Sequence, residues 1–266
     1  MLNMELWLSL LLFFITGAAS GILGGLLGIG GAIILVPALT LLYGVPIHMA
    51  IAVSLLNNVA VSVSSTLRYR RMGLLNRRVI FLMNVGSVAG IVIGTFIATK
   101  SPEDAIKVLF GAFLLFMVAN ALLQRNAADA EGMPELNNKA EGGLAGLGFV
   151  MGLMGALLGL GGGTVAVPVL NNIFKMPLKQ AIANSLATII LASTLGAIIY
   201  FYLSSGTLFS AEEALLTTVT IIPGSIIGAN IGTRISEHLH TKYIKYIFYV
   251  LLLYIAYSMI KSGMGW

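Results

Sequence analysis

An apolar run with five glycines and a closing proline, GGLLGIGGAIILVP at 24–37, cannot form one straight helix, and the chain contains it twice. The second copy, ALLGLGGGTVAVP at 156–168, matches Gly28, Gly30, Gly31, Val36 and Pro37 with Gly159, Gly161, Gly162, Val167 and Pro168. Glycine admits positive φ and close backbone approach, whereas each proline removes a donor and disfavours helix at the residue before it. Two bends at corresponding places predict a chain made of two related halves.

The surroundings of these bends place them in a membrane. Hydrophobic residues make up 58% of the chain and charged residues 9%, with a mean hydropathy of +0.97, outside the usual soluble composition. Apolar stretches of about 20 residues recur along the whole length, which excludes a soluble domain on a single anchor. The expected class is an all-α polytopic membrane protein. The net charge of +5 comes from cations at the ends of apolar segments, where they set topology, so nucleic acid is not an expected partner. Cysteine is absent, which excludes disulfides and thiolate metal sites. Only Glu5 stands before the apolar run 6–15 as a charged residue, so the run reads as a mature helix and not a cleaved signal peptide.

In order, apolar segments fall at 6–27, 32–43, 48–67, 79–99 and 105–123. After a polar stretch at 124–143 they return at 144–158, in a short piece ending at Phe174, and at 180–203, 214–235 and 243–260. The predicted organisation is a membrane repeat at 1–123, a cytoplasmic linker at 124–143 and a second membrane repeat at 144–266, with about four to five helical segments per repeat. The piece 32–43 is about 12 residues, roughly 18 Å of helix, too short to cross about 30 Å of hydrocarbon. Each half therefore has five spans, or three spans plus a re-entrant pair.

Further pairs carry the repeat through the rest of each half. Ala50, Ile51, Ala52, Ser54 and Leu55 match Ala181, Ile182, Ala183, Ser185 and Leu186. Gly86, Ser87, Gly90, Ile93, Gly94 and Thr95 match Gly224, Ser225, Gly228, Ile231, Gly232 and Thr233, and Ile106, Lys107 and Phe110 match Ile244, Lys245 and Phe248. The glycines in the middle block recur every four residues and line one helix face, a packing signature. Corresponding loops carry opposite charge signals: the basic loop with Arg68, Arg70, Arg71, Arg77 and Arg78 has a copy at 204–213 without Lys or Arg. The turn 44–48 likewise lacks the cations its copy has at Lys175 and Lys179. By the positive-inside rule the halves are inverted repeats, with the linker inside and both termini outside.

The groups available for function are mostly neutral. No carboxylate falls in mid-membrane, where an ionisable residue would mark a proton relay. Ser54, Asn57 and Asn58 lie in the third segment, Asn184, Ser185 and Thr188 in its copy, with Asn84 and Asn230 further on. Buried in hydrocarbon, such groups either bridge helices or face a wet cavity. Broken helices aim unsatisfied N–H groups at their N-termini, so the backbone around Gly30, Gly31, Gly161, Gly162, Gly163 and Thr164 suits a small oxyanion, aided by the Asn and Ser donors. Arg68 and Arg234, at the membrane edges, serve as interfacial anchors or draw an anion into a vestibule. His238 and His240 have no Cys or acidic third ligand beside them, so no metal is expected. The glycine runs are not nucleotide sites: no Lys-Ser or Lys-Thr follows, and Ile33 and Thr164 stand where GxGxxG needs its last glycine. An enzyme is not expected, nor a cofactor.

The doubled glycine run ending in Val-Pro, the Ala-rich Ser-Leu block after it and the following basic loop resemble the TauE/SafE sulfite exporter (TSUP) family over nearly the whole chain. The resemblance implies a secondary carrier of sulfite or related sulfur-containing anions, including organosulfonates, with proton coupling, in the plasma (inner) membrane. Ala32 stands against Gly163 and Val53 against Asn184, so the second half is the more polar copy and the one expected to dominate anion contact. A passive small-anion channel is the alternative, and a non-transporting scaffold the third class.

Overall fold

The computed structural model describes residues 2–28, 30–123, 138–204, 206–238 and 242–265, with side chains described at 9–28, 30–120, 140–204, 206–235 and 249–265. It is helical throughout, with no strand among the described residues. The first half comprises α1 (Leu2–Leu27), α2 (Ala32–Pro37) with a π-helical continuation Ala38–Leu42, α3 (Ile47–Arg71), α4 (Arg77–Lys100) and α5 (Glu103–Leu123). The second comprises α6 (Asn138–Leu158), α7 (Gly163–Asn172), α8 (Leu178–Ser204), α9 (Ala211–His238) and α10 (Lys242–Gly263). Six helices, α1, α3, α4, α6, α8 and α9, contain stretches long and apolar enough to cross a membrane. Of the polar stretch 124–143, residues 124–137 lie outside the described residues, and 138–143 form the first turns of α6. Glu141 sits in the first turn of α6, where its charge suits the helix dipole, and pairs with Arg78 at the start of α4.

The short elements arise as the glycines and prolines require. Gly31 (φ 91°) and Gly162 (φ 76°) are left-handed and start α2 and α7. Pro37 and Pro168 lie inside those helices, where each leaves one carbonyl of the ladder without its amide. After Pro37 the ladder widens to the π register. Both short helices fold back on the helix before them. Gly31 lies against Ser20, and Tyr43 reaches back to Thr16 (Oγ1 to Oη 2.8 Å) and stacks near Phe13 at 4.9 Å. In the second half Gly162 lies against Met151, and the Phe174 ring lies beside Gly143. The segments 32–42 and 163–172 are thus half-length returns, about 16 and 15 Å long.

The glycine triplets set the outer packing. A methyl on Gly86, Gly90 or Gly94 of α4 would collide with the carbonyls of Ala145, Phe149 and Leu153 of α6. One on Gly224, Gly228 or Gly232 of α9 would collide with those of Phe14, Ala18 and Ile22 of α1. Each half's fourth main element therefore packs backbone to backbone on the first of the other, where no side chain fits between them. On the opposite side of α4, Phe81, Val85, Val92 and Phe96 are exposed, as a lipid-facing surface requires.

Inside this shell stand α3 and α8. They run antiparallel, with His48 of α3 beside Tyr200 of α8 at one end and Asn184 of α8 beside the loop after α3 at the other. The equivalent pair α5 and α10 is also antiparallel, with Gly111 against Ala256 and Ile260, and Gly263 against Asp104.

Candidate functional site

Both glycine breaks are held by the central helix of the opposite half. Ser54 Oγ of α3 donates to the Gly159 carbonyl at 2.7 Å, and Ser185 Oγ of α8 donates to the Gly28 carbonyl at 3.2 Å. These are equivalent serines on equivalent glycines, so the two bonds form one reciprocal pair. A left-handed glycine turns its carbonyl out of the helix ladder, and in a membrane interior that carbonyl must find a donor. Each bond contributes about 1 kcal/mol net, and a carbonyl left bare costs about 1–3 kcal/mol.

Asn58 breaks this symmetry. Its Nδ2 donates to the Gly159 carbonyl at 2.8 Å. The same amide is wedged between the two breaks: a Cβ on Gly30 would fall 2.8 Å from its Oδ1, and one on Gly161 would fall 3.1 Å from its Nδ2. The residue at the matching place in α8 is Ile189, whose methyl also faces Gly161. One amide thus serves both halves.

Around it lie polar atoms without partners among the described residues. Asn57 Oδ1, Asn58 Oδ1, Ser62 Oγ, Thr164 Oγ1 and Ser193 Oγ are all buried and unpaired. Such atoms are rare in a settled interior and accumulate where a ligand or water completes the site. Asn57 Nδ2 contacts Ser20 Oγ at 3.4 Å, and that hydroxyl donates to the Gly31 carbonyl at 3.0 Å. On the second copy, the Val165 and Ala166 amides bond the Gly162 carbonyl, and the first-turn amides of Gly163 and Thr164 have no partner shown among the described residues. Beside Gly161, a crevice lined in part by Leu55, Ile91, Gly155, Ser193 and Gly196 is too narrow for a water molecule.

The other expected site residues lie apart from this cluster. Asn184 is a brace: its Oδ1 accepts from Asn76 N–H at 2.7 Å, and its Nδ2 donates to Gln180 O at 2.7 Å and Leu74 O at 3.4 Å. It pins the α3–α4 loop to α8. Thr188 Oγ1 bonds back to the Asn184 carbonyl at 2.9 Å within its own helix. Asn230 bridges helices, donating to Ser64 Oγ at 3.0 Å and Ile226 O at 2.9 Å. Asn84 is half-buried on α4, Arg68 half-buried near the end of α3, and Arg234 exposed near the end of α9. The side chain of His238 and the whole of His240 lie outside the described residues. Among the described residues no group of His, Asp or Glu is placed to hold a metal.

Ser20, Ser62 and Ser193 escaped the sequence reading. Ser62 and Ser193 stand at the same offset that relates Gly28 to Gly159, so carrying the repeat one turn further finds them. Ser20 matches Met151 and carries no such signal.

The family model described as sulfite exporter TauE/SafE matches residues 13–259. The chain belongs to the TauE/SafE family. Among its relatives, the probable membrane transporter protein YunE of Bacillus subtilis (strain 168) is 28% identical over 96% of this chain and 99% of its own length. A probable membrane transporter protein of Methanocaldococcus jannaschii is 31% identical over 90% of this chain and 92% of its own. The probable membrane transporter protein MamO of Paramagnetospirillum magneticum is 28% identical over 92% of this chain, which covers 43% of MamO. No solved structure matches the chain significantly. This TauE/SafE protein is accordingly a multi-pass membrane transporter.

The brace role of Asn184 yields a prediction. N184A leaves the Asn76 amide and the Leu74 carbonyl without their partner, at a cost of about 2–3 kcal/mol. The purified variant is expected to lose thermal stability while its half-saturating substrate concentration stays within about twofold of wild type, since uniform binding is untouched. A large rise in that concentration at unchanged stability would return Asn184 to the binding site.

Proposed function

We propose that the protein is a secondary carrier of small sulfur-containing oxyanions, sulfite or a small organosulfonate, working by alternating access about the two glycine breaks. The observation that carries this reading is the reciprocal pair Ser54–Gly159 and Ser185–Gly28 with Asn58 between Gly30 and Gly161. The buried hydroxyls of Ser62, Thr164 and Ser193, without partners among the described residues, offer O–H donors to an oxyanion but no full charge to trap it, while the open Oδ1 atoms of Asn57 and Asn58 can accept only from a water or a protonated ligand. Gly161, Gly162, Gly163 and Thr164 supply the helix N-terminus, in a helix of 10 residues, Gly30 lies across Asn58 from Gly161, and Gly31 starts the matching short helix against Ser20.

The halves act as inverted repeats in this reading. The opposite run of α3 against α8 and of α5 against α10 supports it, as do the opposed loop charges. A carrier must close over its site in turn, and the crevice at Gly161, too tight for water, suits a closed state better than a conducting pore. Of the two halves, the second contributes the N-terminal donors and the first contributes Asn58.

The test is sulfite flux in proteoliposomes of the purified protein, with and without a pH gradient, and with sulfate, thiosulfate and a small sulfonate as competitors. Saturable flux, accelerated by substrate on the far side, is expected. Non-saturable flux would replace the carrier with a channel, and no flux of any sulfur anion would remove the substrate assignment.

A further inference from the structure

Among the described residues no Asp, Glu, Lys or Arg is buried, and His48 is the only buried histidine, 2% exposed. It lies in the first turn of α3, and its Nδ1 is 2.8 Å from the hydroxyl of Tyr200, which is fully buried near the end of α8. The bond joins residues 152 apart and ties the first half to the second. Tyr200 stacks at 6.3 Å on Phe209, which meets Phe201 edge-on at 5.5 Å, so aromatic rings enclose this end of the α3–α8 pair. An ionisable group within a membrane-spanning helix pair is a functional candidate by its cost alone.

The other end of the same pair is built differently. Tyr69 is the repeat counterpart of Tyr200, and its hydroxyl donates to the Gly25 carbonyl at 3.3 Å. The counterpart of His48 there is Lys179, an exposed residue. A tyrosine on a main-chain carbonyl keeps its bond at any ordinary pH. A tyrosine on an imidazole reverses its bond instead: in the Nε2–H tautomer neutral Nδ1 accepts from the phenolic O–H, whereas protonated Nδ1 donates to the phenolic oxygen and leaves the O–H to find another acceptor. One end of the central pair is thus proton-sensitive and the other is fixed.

We propose that His48 and Tyr200 form the proton-binding site of this transporter, a latch between the halves whose hydrogen bond runs from Tyr200 to His48 with the imidazole neutral and reverses, freeing the Tyr200 O–H for a new acceptor, when the ring takes up a proton. The proposal rests on the carrier reading above and assigns its coupling ion. On protonation Tyr200 loses its acceptor, its oxygen turns to accept from Nδ1–H, and its own O–H must be redirected. The charged groups on the neighbouring elements lie at the start of α5, the end of α4 and the start of α9. Glu103 acts on both His48 and Tyr200, and Lys107 holds Glu103 at 3.8 Å and Asp104 at 3.3 Å. Lys100 lies over the Phe96 ring at 4.0 Å, and Glu212 and Glu213 are exposed at the start of α9. Tyr43, from the π-helical segment, is bound to Thr16. Substrate contacts are not involved, since His48 lies a helix turn or more from Ser54 and Asn58.

The test has two arms on the full chain, using H48N, which places an amide near Nδ1, and Y200F, which deletes only the hydroxyl. In the first, ring-nitrogen NMR of histidine-labelled protein in nanodiscs follows His48, identified among 3 histidines by its absence in H48N. Its ring is expected to change protonation state as the pH is lowered over the range in which the protein stays folded, and Y200F to move the midpoint by about half a unit or more. A ring that holds one protonation state across that range, or a midpoint indifferent to Y200F, overturns the latch. In the second arm, sulfite counterflow at equal pH is expected to stay within about threefold of wild type in both variants, while acceleration by a pH gradient falls about tenfold or more. Gradient acceleration that survives in both variants also overturns it. Absent wild-type counterflow counts against the carrier reading alone, and the NMR arm then decides the proton site by itself.

Discussion

G161V is expected to insert and fold but to transport about 100-fold more slowly than wild type, whereas G162V is expected to yield no folded protein. Both glycines are left-handed, at φ 65° and 76°, so a β-branched residue at either is strained by roughly 1–3 kcal/mol. The surroundings separate them. A Cβ at position 161 meets movable side-chain atoms, Ile189 Cγ2 at 3.0 Å and Asn58 Nδ2 at 3.1 Å, and so fills the space between the breaks. A Cβ at position 162 lands on the carbonyl of Met151, a main-chain atom that no rotamer can move. Overlap of that kind adds to the strain and exceeds about 4 kcal/mol, the range in which single changes unfold marginal proteins. Size-exclusion of the detergent-solubilised variants reads folding, and proteoliposome flux reads the site. A monodisperse G161V that transports at the wild-type rate would remove the glycine break from the pathway.

The second large effect is expected at Asn58. N58L keeps the branching of the side chain, with two bulkier methyls in place of the amide O and NH2, and makes the first half resemble the second, where Ile189 stands. It deletes the donor to the Gly159 carbonyl and the acceptor beside Gly30, yet Ser54 still satisfies that carbonyl at 2.7 Å. The stability loss is therefore about 1 kcal/mol, small enough for a normal folded yield. Flux is expected to fall about 30- to 100-fold, because the one amide shared by both halves is lost from where the anion passes. Thermal unfolding alongside initial-rate flux separates the two effects. Loss of flux in step with loss of folded protein, or no loss at all, would make Asn58 a packing residue.

These two positions also show how unevenly the sequence displays the site. Gly161 was visible because it sits in a motif that recurs with its spacing intact. Asn58 and Asn184 are both amides close to a matched serine, four residues after Ser54 and directly before Ser185, and polarity alone favours the second half for anion contact. The structure gives them different surroundings. Asn184 has three hydrogen bonds to the backbone of Asn76, Leu74 and Gln180, whereas Asn58 keeps an unpaired Oδ1 between the breaks. Neither residue type nor spacing carries that distinction, since it depends on what stands opposite each amide. The packing role of the glycine triplets was readable, because a four-residue period fixes a helix face whatever packs on it, though not that α6 and α1 from the other halves would be the partners.

The sequence alone determined the membrane class, the two halves and the half-length helices. Composition, periodicity and the φ freedom of glycine act within a few residues and are written where they act. Only the tertiary structure decided that each break is bonded from the opposite half, that one asparagine touches both, and that His48 meets Tyr200. Those contacts join residues from 101 to 157 positions apart. Their geometry follows from how the other described helices pack around α3 and α8, and no local pattern along the chain encodes which polar atom is left facing which.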